Sequence, residues 1–481
     1  MSDVFSQGRN SVYLLGYNAK ARIDFTSNSY TISPDARQIT FNDTQANIAD
    51  ENGNILMSSN GVFIADANGD TMLNGTGLNP GWGVNNCPDG LCMSYANLFL
   101  PMPGDTSKYI LFHQSAEINS PVGLDALEIY YSVIDLSLNG GLGQVISKNN
   151  IALSGVFSWG YAACKHANGR DWWIVAMNDV ADGFHTFLVT PDTLQYIGHQ
   201  AFNVQKYLYG FAGQPLFSPD GTKFAYGGSY GINGMNYLSS IALFNFDRCS
   251  GVFSLDTVID FSDSYISFAS AFSPNSQYLY FASSEHLYQY DTNTGGLLPH
   301  QLVATNDIFA SPNPPFYTNF YLMYLAANGK IYISSGSSVK HLHEMNYPDS
   351  AGLACDVQLH NVFTNCFYIG VPNHPNYYLG RLVGSACDTL TSINEIEHDF
   401  KFKIFPNPNN GNFKIMYLLP QNKAGRLEIF DINGKVVYSQ NLPQWSTLQN
   451  ISLPKLINGV YNCIIVSGNE RTNKKLIIFK E

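Results

Sequence analysis

A strand, a tight turn and a second strand recur along most of this chain, and that recurrence restricts the fold more than any other feature. The turns are Asp50-Glu51-Asn52-Gly53-Asn54, Pro103-Gly104-Asp105-Thr106, His166-Ala167-Asn168-Gly169-Arg170, Ser218-Pro219-Asp220-Gly221, Ser273-Pro274-Asn275-Ser276 and Ala327-Asn328-Gly329. With Asn52, Asp105, Asn168, Asp220, Asn275 and Asn328 as anchors, the intervals are 53, 63, 52, 55 and 53 residues. Self-similarity at such a period means one supersecondary unit repeated. A unit of this length holds four short strands, the content of a propeller blade. A lone blade cannot bury both faces, whereas a closed ring of blades does and leaves no long free edge. Six anchors give at least six blades. Residues 12–17 and 21–25 read as two further strands, which either complete the last blade or belong to a seventh. A β-helix or tandem sandwiches are the rival architectures, and Ser-Pro-Asp-Gly hairpins suit them less well. The expectation is an all-β chain: a six- or seven-bladed β-propeller followed by a small β-sandwich.

The sandwich is read from the last eighty residues. Strand-like runs fall at 413–419, 427–430, 435–439, 450–453, 460–467 and 474–479. Asn433-Gly434 between two of them tolerates the positive φ of a tight hairpin. Pro406 and Pro408 cannot donate to a ladder and belong at a strand's edge or entry. Charge separates the two regions. The chain carries a net −12, yet from Phe402 onward ten Lys/Arg stand against four Asp/Glu, leaving about −18 on the remainder. An acidic body with a basic tail points to two units with different tasks. The expected boundaries are 1–383 for the propeller, 384–401 for a polar linker and 402–481 for the sandwich.

Composition narrows the class. Only 13% of residues are charged while 14% are aromatic, with 41 Gly and 22 Pro, the profile of a turn-rich extracytoplasmic protein. The negative net charge argues against nucleic acid as a partner. No apolar run is long enough to span a bilayer. Met1-Ser2-Asp3-Val4-Phe5-Ser6 has no apolar core and is not a signal peptide; an export leader is expected to have been omitted or truncated. Cys87 with Cys92, and Cys355 with Cys366, are close enough in sequence to close small loops in an oxidising compartment. Cys164, Cys249, Cys387 and Cys463 are scattered and read as buried thiols.

Two resemblances follow from these residues. Ile404-Phe405-Pro406-Asn407-Pro408, then residues 427–437 (Leu-Glu-Ile-Phe-Asp-Ile-Asn-Gly-Lys-Val-Val), then Asn458-Gly459-Val460-Tyr461, then Lys474-Lys475-Leu476-Ile477 resemble the C-terminal sorting domain of Bacteroidetes type IX secretion substrates. That resemblance implies an immunoglobulin-like sandwich serving as an address for an outer-membrane translocon, removed after export by a cut in or just after 384–399. Phe217-Ser218-Pro219-Asp220-Gly221 and Leu287-Tyr288-Gln289-Tyr290-Asp291 resemble YVTN- and WD-type propeller repeats. Pro101-Met102-Pro103-Gly104 with residues 130–143 is similar to gliding-associated surface proteins of the same phylum. The second resemblance implies an architecture and a compartment, with no residue roles to transfer.

Four features invite a chemical reading. Gly227-Gly228-Ser229-Tyr230-Gly231 matches Gly-x-Ser-x-Gly, but a nucleophile elbow needs a helix after it. The sequence continues Ile232-Asn233-Gly234-Met235-Asn236, so a glycine-rich loop between strands is expected. His341-Leu342-His343 sets two imidazoles on one strand face, half of a metal site, with His360 or Glu344 as a third ligand. Asp66-Ala67-Asn68-Gly69-Asp70 begins like a calcium loop, but position twelve is Gly77, which excludes an EF-hand. Trp82, Trp159, Trp172 and Trp173 are candidates for sugar stacking, although Trp172 and Trp173 point to opposite faces of a strand and at least one packs between blades. None of these earns a place as a catalytic, cofactor-binding or metal residue, and no cofactor is expected. The reading is a secreted or cell-surface protein whose residues 402–481 engage the type IX translocon and whose propeller binds an extracellular protein or glycan, in adhesion or gliding. A propeller hydrolase or lyase acting on polysaccharide is the alternative.

Overall fold

A computed structural model describes residues 8–17, 19–26, 29–120, 123–178, 182–202, 213–232, 236–263, 269–294, 299–311, 315–336, 338–388, 402–417, 419, 424–443, 448–468 and 470–480. The expected non-signal N-terminal stretch up to Gln7, and 389–401 of the expected linker, lie outside these residues. The chain divides into two units, Asp3–Leu390 and Thr391–Glu481. It is all-β, as expected.

The larger unit is a succession of antiparallel meanders, of which the second to fourth are joined into one twelve-stranded sheet through a parallel pairing of Leu73 with Gln144. The first sheet has the three strands Val12–Leu15, Ala21–Phe25 and Tyr30–Pro34; the second runs Ala46–Ala49, Ile55–Ser59, Phe63–Ala65 and Thr71–Thr76. The third comprises Asn97–Pro101, Lys108–Gln114, Gly123–Asp135 and the first half of Gln144–Lys165. The second half of Gln144–Lys165 opens the fourth, with Trp172–Asn178, Gly183–Val189 and Leu194–Ala201. The register shift between Phe157 and Tyr161 is where this long strand leaves one sheet for the next. The fifth sheet is Leu216–Phe217, Lys223–Ile232, Asn236–Asp247 and Val252–Asp263; the sixth is Ala269–Phe272, Tyr278–Ala282, His286–Asp291 and Gln301–Thr305. The seventh is Met323–Leu325, Ile331–Ile333, Val339–Met345 and Val357–Tyr368. The strands before the first anchor therefore form a sheet of their own with Tyr30–Pro34.

The inner strands of the sheets bury both faces, whereas outer strands such as Tyr30–Pro34, Thr71–Thr76 and Leu194–Ala201 are largely exposed, and this explains why the inner strands read as continuous apolar runs rather than alternating ones. Trp172, Ile174 and Ala176 enter the core shared with the third sheet, while Trp173, Val175 and Met177 enter the core shared with the fifth. The remaining cores join fifth to sixth (Leu243, Phe281), sixth to seventh (Tyr280, Ile333) and first to second (Leu14, Ala65). One more joins seventh to first, through Tyr324, Tyr332, Tyr13 and Phe25. The cycle of cores closes on itself.

The anchor residues all sit in the turn that follows the first strand of a sheet, and five of the six hold that turn through their own side chain, whereas in the turn of Asn52 it is Asp50, two residues earlier, that does so. Asp50 Oδ1 accepts from Asn52 N and Asn54 N, both at 2.8 Å, and Asp105 Oδ1 from Ser107 N at 2.9 Å. Asn168, Asp220, Asn275 and Asn328 accept from the backbone N–H two residues on in the same way. A short side-chain acceptor that holds its own turn is why Asp and Asn recur there.

Residues 369–388 contain no strand; they run as a strap over the first strands of three sheets. Tyr377 OH donates to Phe99 O at 3.0 Å, Asn373 Nδ2 to Tyr161 O at 2.8 Å and Asn376 Nδ2 to Pro219 O at 2.7 Å. Leu382 N donates to Ala167 O at 2.7 Å, and the Cys249–Cys387 disulfide holds the strap's end. The cysteine expectations need correction here. Cys87–Cys92 forms, but Cys355 and Cys366 are free and buried in different cores, on opposite sides of the seventh sheet. Cys249 and Cys387, read as thiols, are the second bridge. The short α-helix Trp82–Asn86, ahead of Cys87, has no counterpart in the sequence reading.

The smaller unit is two sheets around one core. Lys403–Phe405, Asn412–Met416 and Leu448–Ser452 form the first; Val436–Leu442, Gly425–Phe430, Gly459–Ser467 and Glu470–Ile478 form the second, in that order. Here the apolar period is two: Leu427 and Ile429, Tyr461, Cys463 and Ile465, and Leu476 and Ile478 point inward. Lys403–Phe405 is a strand that the sequence pattern did not announce.

Candidate functional site

The smaller unit's recognisable blocks converge on its last strand. Pro406 ends the strand Lys403–Phe405 because it has no N–H to continue the ladder. The next residues then clasp Glu470–Ile478. Asn407 Nδ2 donates to Lys475 O at 2.7 Å, and Ile477 N donates to Asn407 Oδ1 at 2.8 Å. Asn409 N donates to Ile477 O at 3.0 Å and Phe479 N to Asn409 O at 2.8 Å, a parallel bridge. Asn409 is 6% exposed and its Oδ1 also accepts from Gly411 N at 2.8 Å, which fixes the bend between the first two strands. Gly411 has φ 98° and a Cβ there would meet Leu453 O at 2.6 Å, so only glycine fits. From the other side Asn458 accepts from Lys480 N at 2.9 Å and donates to Lys480 O at 3.0 Å. Asp431-Ile432-Asn433-Gly434 closes a turn in which Asp431 Oδ1 accepts from Asn433 N and Lys435 N, both at 2.9 Å.

The outer face of the second sheet carries a groove of about 550 Å³ lined by Phe430, Ile432, Val460, Ile464, Arg471 and Lys475 among others. Strand register aligns Phe430, Asn462 and Lys475 in one row, and Arg426, Val466 and Arg471 in another. Apolar side chains thus occupy the middle and basic ones the margin.

In the larger unit the sequence candidates scatter. Ser229 lies inside the strand Lys223–Ile232, neither in the loop expected nor at an elbow; Asn233-Gly234-Met235 are outside the described residues. Asp66 Oδ1 accepts from Asn68 N at 2.9 Å and Asp70 N at 3.2 Å, so that loop is a hairpin turn holding itself. Trp172 and Trp173 are both buried, and Trp159 Nε1 donates to Leu124 O at 2.7 Å. His343 is buried, with Nδ1 accepting from His360 N at 3.1 Å and Nε2 beside Asn319 O at 3.3 Å. Burial pushes its imidazole down to about 4. Glu344 is held by Lys330 Nζ at 2.8 Å and by Asn361 Nδ2 at 2.7 Å. Among the described residues no three of His, Cys, Asp and Glu come together as a metal set.

What does assemble is a surface cluster around His360, which pattern reading missed because its members come from three distant segments. Phe309 stacks on His360 with ring centroids 4.1 Å apart, and His360 Nε2 lies 2.9 Å from Asp307 Oδ2. His341 packs edge-on against Phe309 at 5.3 Å and beside Phe363 at 5.0 Å. Phe363 is 51% exposed and Phe309 36%. Ile308 and His360 hold φ of 54° and 41°, costly for a β-branched residue and uncommon for any side chain. Strained backbone that presents exposed rings beside polar groups is what a binding surface asks for.

Residues 403–479 match the family model of the secretion system C-terminal sorting domain. The match spans the strands of the smaller unit and its clasp, and it supports export of this chain by type IX secretion. No curated protein matches the chain. Among solved structures, a functionally unknown protein from Desulfotomaculum acetoxidans is similar at 13% identity and a TM-score of 0.44, covering 76% of this chain and 99% of that one. Hydrazine synthase from Kuenenia stuttgartiensis is similar at 9% identity and 0.40, covering 74% and 97%. A hypothetical selenium-binding protein from Sulfolobus tokodaii stands at 10% and 0.37, covering 76% and 92%. At such scores these likenesses carry no argument about what the chain does.

Proposed function

We propose that this chain is type IX export cargo: a β-propeller of seven blades, residues 1–383, delivered to the cell surface or medium by an immunoglobulin-like sorting sandwich, residues 402–481. The observation that carries the reading is the match over 403–479, which coincides with a complete two-sheet unit. The closed cycle of six cores among seven sheets, one of them shared by the second, third and fourth, supports the propeller. The propeller's task is binding a protein or glycan, as in adhesion or gliding, and the exposed rings of Phe309 and Phe363 beside Asp307, His341 and His360 support that half of the reading.

Mass spectrometry of culture medium and outer membrane, from the native host and from a strain lacking the type IX translocon, tests the export half. A mature form ending between residues 384 and 402 that vanishes in the mutant strain is expected. Full-length protein kept inside both strains sinks it. The binding half is read on the secreted form with the host's own surface polysaccharide immobilised as probe. Phe309→Ala with Phe363→Ala should weaken retention about tenfold or more, the loss of roughly two stacking contacts; unchanged retention would rule this cluster out.

A further inference from the structure

The groove on the outer face of the sorting sandwich has the layout of a protein-docking surface, and we infer that it receives an acidic segment of the export apparatus that inserts an apolar side chain. The inference rests on the type IX reading and adds to it the place of contact. The middle of the groove is apolar and its turn tip is bare: Ile432 is 84% exposed, Val460 42% and Val436, in the adjoining strand, 45%. A contiguous exposed apolar patch rimmed by polar groups marks an interaction site. Its margin is cationic and uncompensated. Among the described residues neither Arg471 nor Lys475 has an ion-pair partner, whereas Arg426 in the same face is paired with Glu428 at 3.1 Å. The carboxylate lining the groove, Asp431, is already taken by the amides of its own turn. Residues 402–481 carry ten basic against four acidic residues. Unpaired cations around an apolar centre fit an acidic partner, because rim charges steer encounter while the centre supplies the desolvated contact.

The position of the clasp adds a reason. Asn407, Asn409 and Asn458 spend their hydrogen bonds on the strand that carries Arg471 and Lys475. The recognisable sequence blocks thus hold the presenting strand in register rather than forming the contact surface themselves. A one-residue slip of that strand would turn Arg471 and Lys475 to the inner face.

The test uses the full chain in its native host. Arg471→Glu with Lys475→Glu should cut the exported amount about tenfold or more, while Arg471→Lys with Lys475→Arg leaves it within about twofold, since charge rather than side-chain shape is recognised. Circular dichroism melts of the purified variants check that the sandwich still folds; a charge-reversed variant that melts with the parent but is not exported is the expected result. A chain lacking residues 402–481 is the companion control. If that truncation abolishes export and the charge reversal does not, the groove is not the contact and the sorting reading stands. If the truncation is exported normally, the sorting reading itself fails. A photo-crosslinker at Asn462, in the row of Phe430 and Lys475, should capture an acidic protein only in cells that have the translocon. A cross-link formed only within this chain, to its own acidic body, overturns the assignment of the partner.

Discussion

Asn409 is the residue on which the smaller unit turns. Its side chain is buried and joins Pro406, Gly411 and Ile477, while its backbone bridges to Ile477 and Phe479. Asn409→Ala should destabilise the sandwich by about 1–3 kcal/mol, because the buried Gly411 N–H and the Pro406 carbonyl lose their side-chain partner, while Ile477 O keeps only the Asn409 backbone amide. For a unit of this size that is a drop of roughly 5–15 °C in its own transition, read by calorimetry. Asn407→Ala, with bonds exposed to water, should cost less; equal effects would mean that burial is not what makes Asn409 matter. The segment around these residues was legible as a motif, and Pro406 was legible as a strand end. That the asparagines act on a strand more than sixty residues later was not, since a side-chain-to-backbone bond leaves no period in the sequence. His343 shows the same gap from the other side. Its spacing from His341 suggested a shared ligand face, but register shifts on either side of Leu342 and the bulge at His360 give the two imidazoles separate partners.

Hairpins were the most legible elements because their chemistry is local: an Asp or Asn that caps its own turn must sit at a fixed offset from two apolar runs. In the first sheet the chain leaves its opening strand through Gly16 at φ 100°, and Asn18 of that turn lies outside the described residues; the repeat had no anchor there, so periodicity alone left this sheet undecided. The strap at 369–388 was invisible for a related reason. It has no strand alternation, and its bonds go to carbonyls of Phe99, Tyr161, Ala167 and Pro219, up to hundreds of residues away. Its disulfide closes a separation of 138 residues. A loop of that length limits the unfolded chain by about 5 kcal/mol in the chain-entropy model, and strain or residual structure reduces this to roughly 3–5. Cys387→Ser should therefore lower the melting temperature of the larger unit under oxidising conditions, and a reductant, which opens both bridges, should lower the parent at least as far. Cys87→Ser, which opens a separation of only 5 residues, should do less. A Cys387→Ser protein that melts with the parent would mean the hydrogen bonds alone hold the strap.

The cycle of cores is a property of the larger unit as a whole, and it bears on how that unit responds to acid. Closing the cycle of cores buries His113 and His343, and the strap carries His374, which is half-buried. His113 and His374 are pushed down to about 3 from an ordinary 6.5, and His343 to about 4, each by burial. His113 is satisfied as a neutral ring, with Nδ1–H donating to Asn79 Oδ1 at 2.6 Å and Nε2 accepting from Ser132 Oγ at 2.8 Å. Between pH 6.5 and these depressed values the unfolded chain binds protons that the folded ring refuses. Stability is therefore full above about 6.5 and falls as pH drops through that window. Asp43 works in the opposite sense: burial lifts its carboxyl to about 6, so the folded state binds its proton first and gains stability below that pH. Three histidines, each depressed by more than Asp43 is raised, outweigh it, and the net loss on acidification is of the order of several kcal/mol. The larger unit's melting temperature should fall steadily from about pH 7 to about pH 4.5, and His113→Asn should flatten part of that slope while lowering the value at pH 7. A flat profile would mean that the histidines stay wet or that water enters the ring. Such a ring is stable at the neutral pH of most aqueous surroundings and yields in acid. That stability is separate from the sandwich, whose described residues include no histidine, so the two transitions should part company as pH falls.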